Sequence, residues 1–163
     1  MPSFEQTKIL PYKPQELFNL VWDIKSYPKF LPWCVASRVI SENSEEIVAD
    51  LVIQLKGFSE SYRSHATNKI IDDKEYFINT LAISGPFKYL KSTWQFTSHP
   101  IGTELKFFID FEMKSKIFEK LVGSYFIKIT EKMITAFEER ARGIIANTEM
   151  FLPHIRKNLG IDQ

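Results

Sequence analysis

The chain has 163 residues, 44% of them hydrophobic and 25% charged, with a net charge of +1. That length suits one domain able to bury about 70% of its unfolded surface without a disulfide or a metal. The near-neutral balance argues against DNA as a partner, because nucleic-acid binders carry a basic excess or stripe, and a single cysteine excludes a disulfide framework or a multi-cysteine metal cage.

A first strand is predicted over Ser3 to Leu10. Pro14 suits the first turn of a helix, where its missing N–H costs nothing. Leu17, Leu20, Val21 and Ile24 follow at helical spacing, and Pro28 ends the segment. From Val35 the period changes to two. Ile47, Ala49, Leu51, Ile53 and Leu55 alternate with Val48, Asp50, Val52, Gln54 and Lys56, the pattern of a strand with one buried face. Gly57 supplies a turn. Further strands are predicted over Ser59 to Ile71, turned by Asp72-Asp73-Lys74, and over Tyr76 to Ile83, where Ile78 lies, stopped by Gly85-Pro86.

In the next strand Leu90, Ser92, Trp94 and Phe96 share a face. Pro100-Ile101-Gly102 makes a hairpin, after which Leu105, Phe107, Ile109, Phe111 and Met113 share a face opposite Lys106, Asp110 and Glu112. Short turns between successive strands make an antiparallel meander. One long helix is predicted from Lys116 to Ala146, because Phe118, Val122, Phe126, Ile129, Met133, Phe137 and Ala141 recur every three or four residues. Curling the sheet around that helix buries both apolar faces. Without a repeat or linker, residues 1–146 form one domain and 147–163 a tail whose role is open.

Four stretches in order, YPKFLPWCVASRV from Tyr27, LKGFSESY from Leu55, GPFKYLKSTWQF from Gly85 and AFEERAR from Ala136, resemble the coenzyme Q-binding START-domain family. This family belongs to the START-like helix-grip fold, alongside polyketide cyclase-like lipid-binding proteins. The resemblance covers residues 2–142. It implies an α+β fold in which a seven-stranded curved antiparallel sheet wraps a long C-terminal helix, with two short helices after the first strand. It also implies an elongated apolar cavity for ubiquinone, held by a carrier or chaperone that supports respiratory electron transport and is not an enzyme. Bacterial relatives are named ribosome association toxins, for binding the large ribosomal subunit and blocking subunit joining. Others are labelled cyclases by fold analogy, which is a weak ground for function.

The residues expected to line such a cavity come from every inward face. They are Leu51, Ile53, Leu55, Tyr62, Ser64 and Ile78 from the middle strands, and Phe87, Leu90, Trp94, Phe96, Phe107, Ile109 and Phe111 from the last two. Val122, Phe126, Ile129 and Met133 come from the helix, which also presents Phe118. Tyr62, Ser64 and Ser92 are the hydroxyls placed to hydrogen-bond a quinone carbonyl, or else to bond within the protein. Pro28 and Pro32 stiffen the YPKFLPWC segment, so that Phe30, Leu31 and Trp33 hang over the mouth, with Leu31 and Trp33 able to dip into a membrane interface. Gly85-Pro86 lets the sheet bend there, and residues 27–34 and 84–90 are read as a gate.

Catalytic machinery is not expected. His65 faces solvent, His99 sits at a hairpin and His154 lies in the tail, without metal-type spacing. Cys34 lacks a neighbouring base. Asp72-Asp73 and Glu45-Glu46 are turn residues, and Glu138-Glu139 lie on the solvated side of the helix. No catalytic residue, metal or required cofactor is assigned; ubiquinone or a similar isoprenoid quinone enters as ligand. The alternative is a ribosome-binding protein using Lys114, Lys116, Lys120, Lys128, Lys132, Arg140, Arg142, Arg156 and Lys157, and the third is a cyclase or aromatase. The start, MPSFEQTK, lacks the features of a signal peptide, and no run reaches the ~18 apolar residues of a spanning helix. A cytoplasmic protein is therefore expected, with a peripheral place at the inner face of the membrane left open.

Overall fold

The computed structural model describes the backbone of residues 3–55 and 58–158 and the side chains of 3–55 and 59–145. The turn expected at Gly57, the side chain of His154 and the part played by the tail side chains lie outside the described residues. Seven strands form one antiparallel sheet: β1 Ser3–Leu10, β2 Cys34–Glu42, β3 Glu46–Leu55, β4 Phe58–Ile71, β5 Glu75–Ser84, β6 Phe87–His99 and β7 Gly102–Met113. Their order across the sheet is β1-β7-β6-β5-β4-β3-β2, a meander closed by the first strand adding to the last. Between β1 and β2 lie helix α1, Pro14–Trp22, and a 3-10 helix, Ile24–Lys29. Pro14 opens α1, and the Glu16 carboxylate accepts the Lys13 N–H at 3.0 Å, satisfying a donor that the first turn leaves free. Pro28 falls inside the 3-10 helix.

The turn at Asp72-Asp73 places both residues at positive φ, 52° and 55°, which short acidic side chains tolerate better than most. The connection between β5 and β6 uses Gly85 at φ 120°. β5 pairs with β6 from Glu75 to Leu81. Beyond Leu81 the pairing runs to β4, through Ala82 with Ser64 and Ser84 with Arg63, so the sheet opens between β5 and β6 at that end.

The single helix expected from Lys116 to Ala146 is two. Helix α2 spans Lys116–Gly123 and helix α3 spans Phe126–Asn158. Gly123, a poor helix former, is followed by Ser124, whose hydroxyl donates to the Leu121 carbonyl at 2.7 Å and closes the turn. α3 continues past Ala146, so the helix boundary expected there is not seen. α2 has no buried residue, and Phe118, expected to face the interior, is 42% exposed.

The concave face of the sheet carries the main core. Trp94 meets Phe107 at 4.3 Å and Phe137 at 5.2 Å between ring centroids. Ile47, Ala49, Leu51, Ala66, Ile78, Phe96, Ile134 and Ala141 are buried around them. A second, smaller cluster of Phe111, Met113 and Phe126 forms further along. Lys8 on β1 is ion-paired with Glu138 on α3, so Glu138 ties the helix to the sheet and does not lie on a solvated side. Among the described residues no helix is long and apolar enough to cross a membrane.

Candidate ligand cavity

The side chains that α3 turns toward the sheet are Phe126, Thr130, Ile134, Phe137, Ala141 and Ile145, spaced by four, four, three, four and four. Phe137 fills the space beneath it by packing against Trp94. Two turns earlier the same stripe carries Thr130, which is too small to reach the sheet. A cavity of about 150 Å³ remains there.

Its walls are Ile53, Leu55, Tyr62, Phe87, Leu90, Ile109, Phe111 and Met113 from the strands, Val122, Phe126, Ile129, Thr130 and Met133 from the helices, and Trp33. The aromatic rings form a continuous arc. Tyr62 meets Phe87 at 5.4 Å, Phe87 meets Phe111 at 6.1 Å and Phe111 meets Phe126 at 4.8 Å. Leu55, Val122 and Ile129 also belong to a groove of about 190 Å³, completed by Leu121, Tyr125, Lys128 and Lys132. Cavity and groove therefore share a wall between α2 and α3.

Few polar atoms face this space. The Thr130 hydroxyl donates to the Phe126 carbonyl at 2.8 Å and is satisfied within its helix. The Tyr62 hydroxyl has no hydrogen-bond partner among the described residues. Burial, followed by the nearby Cys34, pushes its pKa above the usual tyrosine value, so at neutral pH it is an O–H able to donate.

Twelve of the residues expected from sequence line this space, Trp33, Tyr62, Phe87 and Phe111 among them. The others do not. Leu51, Ile78, Trp94, Phe96 and Phe107 fill the main core, because Phe137 closes the gap that a ligand would need. Ser64 is buried beside them. Ser92 is buried, shares a 2.5 Å hydrogen bond with Thr80 and does not line this space. Leu31 is 4% exposed and belongs to the core, so it neither caps the mouth nor reaches a membrane. Phe30 packs on Phe137 at 5.1 Å beneath the Arg140 guanidinium. Thr130 and Met133's neighbour in the wall, Met113, were missing from the expected lining. Met113 shares the strand parity of Phe111, and Thr130 follows Phe126 by one turn, but a polar residue on an apolar stripe is easily passed over.

Chemistry elsewhere is sparse. Burial pushes the Cys34 thiol up to about 11, and its Sγ lies 3.6 Å from the Ala36 carbonyl, so it is a protonated and poor nucleophile at neutral pH. His65 lies 3.4 Å from Glu46, which opens β3 and is not a turn residue. His99 accepts the Ile101 N–H at 3.1 Å. Among the described residues no group of three metal-type ligands forms.

Comparison with known proteins identifies the family and the fold. The family model for polyketide cyclase / dehydrase and lipid transport matches residues 10–138. The chain is 66% identical over 145 residues to the ribosome association toxin RatA of Rickettsia prowazekii, covering 89% of this chain and 99% of that one. It is 26% identical over 153 residues to a Xenopus laevis protein named coenzyme Q-binding protein COQ10 homolog B, mitochondrial, covering 91% of this chain and 61% of that one. A START superfamily protein from Mycobacterium smegmatis has the same fold, with a TM-score of 0.72 at 16% identity over 87% of this chain and 98% of that one. The sheet, the gripped helix and the family match together place this chain in the START-like polyketide cyclase / dehydrase and lipid transport family.

Proposed function

We propose that the chain binds ubiquinone, or a related isoprenoid lipid, in the cavity between the sheet and α3. It would act as a carrier or chaperone that supports respiratory electron transport without catalysing a reaction. The observation that carries this reading is the cavity itself, lined by hydrocarbon and aromatic side chains together with Tyr62, whose hydroxyl has no hydrogen-bond partner among the described residues. A few orienting polar atoms in an apolar wall are what a lipid with a carbonyl-bearing ring requires. At about 150 Å³ the cavity matches the size that admits a benzene-sized ring. It would hold the head group while the isoprenoid tail continues along the groove toward Tyr125. Burial of that tail supplies the affinity, at roughly 25 cal/mol per Å². The similarity to a coenzyme Q-binding protein supports the same ligand class, and no further cofactor is needed. A cytoplasmic protein that visits the membrane fits this role.

The test is extraction of natively purified, detergent-free protein into organic solvent for mass spectrometry, followed by addition of quinone while the quenching of tryptophan fluorescence is measured. Near-stoichiometric quinone, or saturable quenching, supports the proposal. An empty extract together with no uptake refutes it.

Association with the large ribosomal subunit is a second reading, favoured by the 66% identity to a ribosome association toxin. Lys114, Lys116, Lys120, Lys128 and Lys132 are exposed and supply a basic surface, though Lys116 is paired with Glu112 at 3.3 Å. Salt-sensitive co-sedimentation with that subunit would support it, and none at low salt would remove it.

A further inference from the structure

We propose that the outward face of α2, with the start of α3, is a docking surface for an anionic lipid bilayer, holding the groove that leads to the cavity against the membrane. The proposal rests on the lipid-binding reading and goes beyond it by assigning the surface. α2 is amphipathic yet buries nothing. Its Ile117 is 81% exposed, the most exposed large hydrophobic side chain among the described residues. Leu121 follows one helical turn later, and Leu121 and Tyr125 line the groove together. Contiguous apolar side chains held in water mark an interaction site.

Charge identifies the occupant. Lys120 is exposed on α2, and Lys128 and Lys132 line the same groove as Leu121 and Tyr125. The acid of α2, Glu119, is turned inward, where its carboxylate accepts the Met113 N–H at 2.8 Å. Glu112 is engaged by Lys88 and Lys116 at 3.3 Å each. An anionic bilayer satisfies both kinds of group, since apolar side chains enter the acyl boundary while lysines meet lipid phosphates. A nucleic acid would leave Ile117 and Leu121 in water. A second copy joined through the same face would set lysines against lysines.

The test is co-sedimentation of the full chain with phosphatidylcholine vesicles, with and without phosphatidylglycerol, at low and high salt. Binding is expected only with phosphatidylglycerol and should weaken as salt screens the lysines. Ile117→Glu and Leu121→Glu should each lower partitioning about tenfold or more, and Lys128→Glu with Lys132→Glu should lower it also. Ile101→Glu is the control. That residue is 67% exposed at the β6–β7 hairpin, at the far end of β7, and its change should leave binding unaltered. All these positions face solvent, so thermal unfolding should stay at the wild-type midpoint and confirm folded variants. Failure to bind anionic vesicles at low salt, or undiminished binding by Ile117→Glu, overturns the proposal. Self-association abolished by Ile117→Glu, without vesicle binding, assigns the face to a second copy and also overturns it. Quinone uptake measured without vesicles separates the two readings: docking can fail while uptake persists, and uptake can fail while docking persists.

Discussion

Gly85 lies so close to Tyr62 that a β-carbon added to it would stand 2.6 Å from the Tyr62 Cβ, and its φ of 120° excludes most other residues. The end of the sheet that opens between β5 and β6 is therefore packed directly on Tyr62 of the cavity wall, beside the β4 pairing of Ala82 and Ser84. Gly85→Ala should cost about 1–3 kcal/mol and displace Tyr62. Chemical denaturation measures the first effect, and weaker quinone uptake by the folded fraction the second. A variant as stable as the wild type would show that the strand end moves away freely.

Thr130 and Phe107 separate cavity from core. Phe107→Ala should destabilise by about 3–5 kcal/mol, since the ring is fully packed. Thr130→Leu instead grows into the space of about 150 Å³. It should keep the unfolding midpoint or raise stability by about 0.5–2 kcal/mol, as cavity filling commonly does, while abolishing quinone uptake. Loss of stability with uptake retained would mean that the space is not where the ligand sits.

Tyr62→Phe removes one hydroxyl and no packing. Stability should change little, because that hydroxyl has no partner among the described residues. Affinity for a quinone should fall by about 0.5–1.5 kcal/mol, the usual worth of a hydrogen bond, while affinity for a hydrocarbon analogue should not change. Parallel fluorescence titrations of both ligands decide it; equal effects on the two would remove Tyr62 as a head-group anchor.

Alkaline pH should unfold the protein. Burial raises the Cys34 thiol from 9.0 to about 11 and raises the Tyr27 and Tyr62 hydroxyls as well. The folded state thus holds protons that the unfolded state releases. Stability from these groups is complete below pH about 9 and is lost as pH rises through the folded values. Thermal midpoints measured from pH 7 to 11 should decline above pH 9. Alkylation of Cys34 should stay slow at pH 8, and fast alkylation there would show the thiol to be accessible and ionised.

Hydrogen exchange checks the two segments read as a gate. Residues 27–34 and 84–90 should exchange faster than the centres of β4 and β6, and equal protection would argue against a gate. The structure already restricts what such a gate could contain: Leu31 and Phe30 are packed into the core, so of residues 27–34 Trp33 lines the cavity, with Phe87 and Leu90 from the second segment.

Strand periodicity determined much of this molecule by itself. Alternation in β3, β6 and β7 identified which side chains face inward, because a pleated strand sends successive side chains to opposite faces. The turn at Asp72-Asp73 and the break at Gly85-Pro86 were legible for the same local reason. What period could not separate was core from cavity. Phe107 and Phe111 have the same parity on the same strand, yet Phe107 packs on Trp94 in the main core and Phe111 borders the empty space. That difference depends on what stands opposite on α3, Phe137 in one place and Thr130 in the other, and only the docking of the helix on the sheet brings those partners together. The break between α2 and α3 was likewise hidden, because the apolar spacing continues across Gly123 although the helix is interrupted there, and Ile117 and Phe118 are exposed. Local chemistry chose the faces; the volumes that meet across the interior decided where space was left.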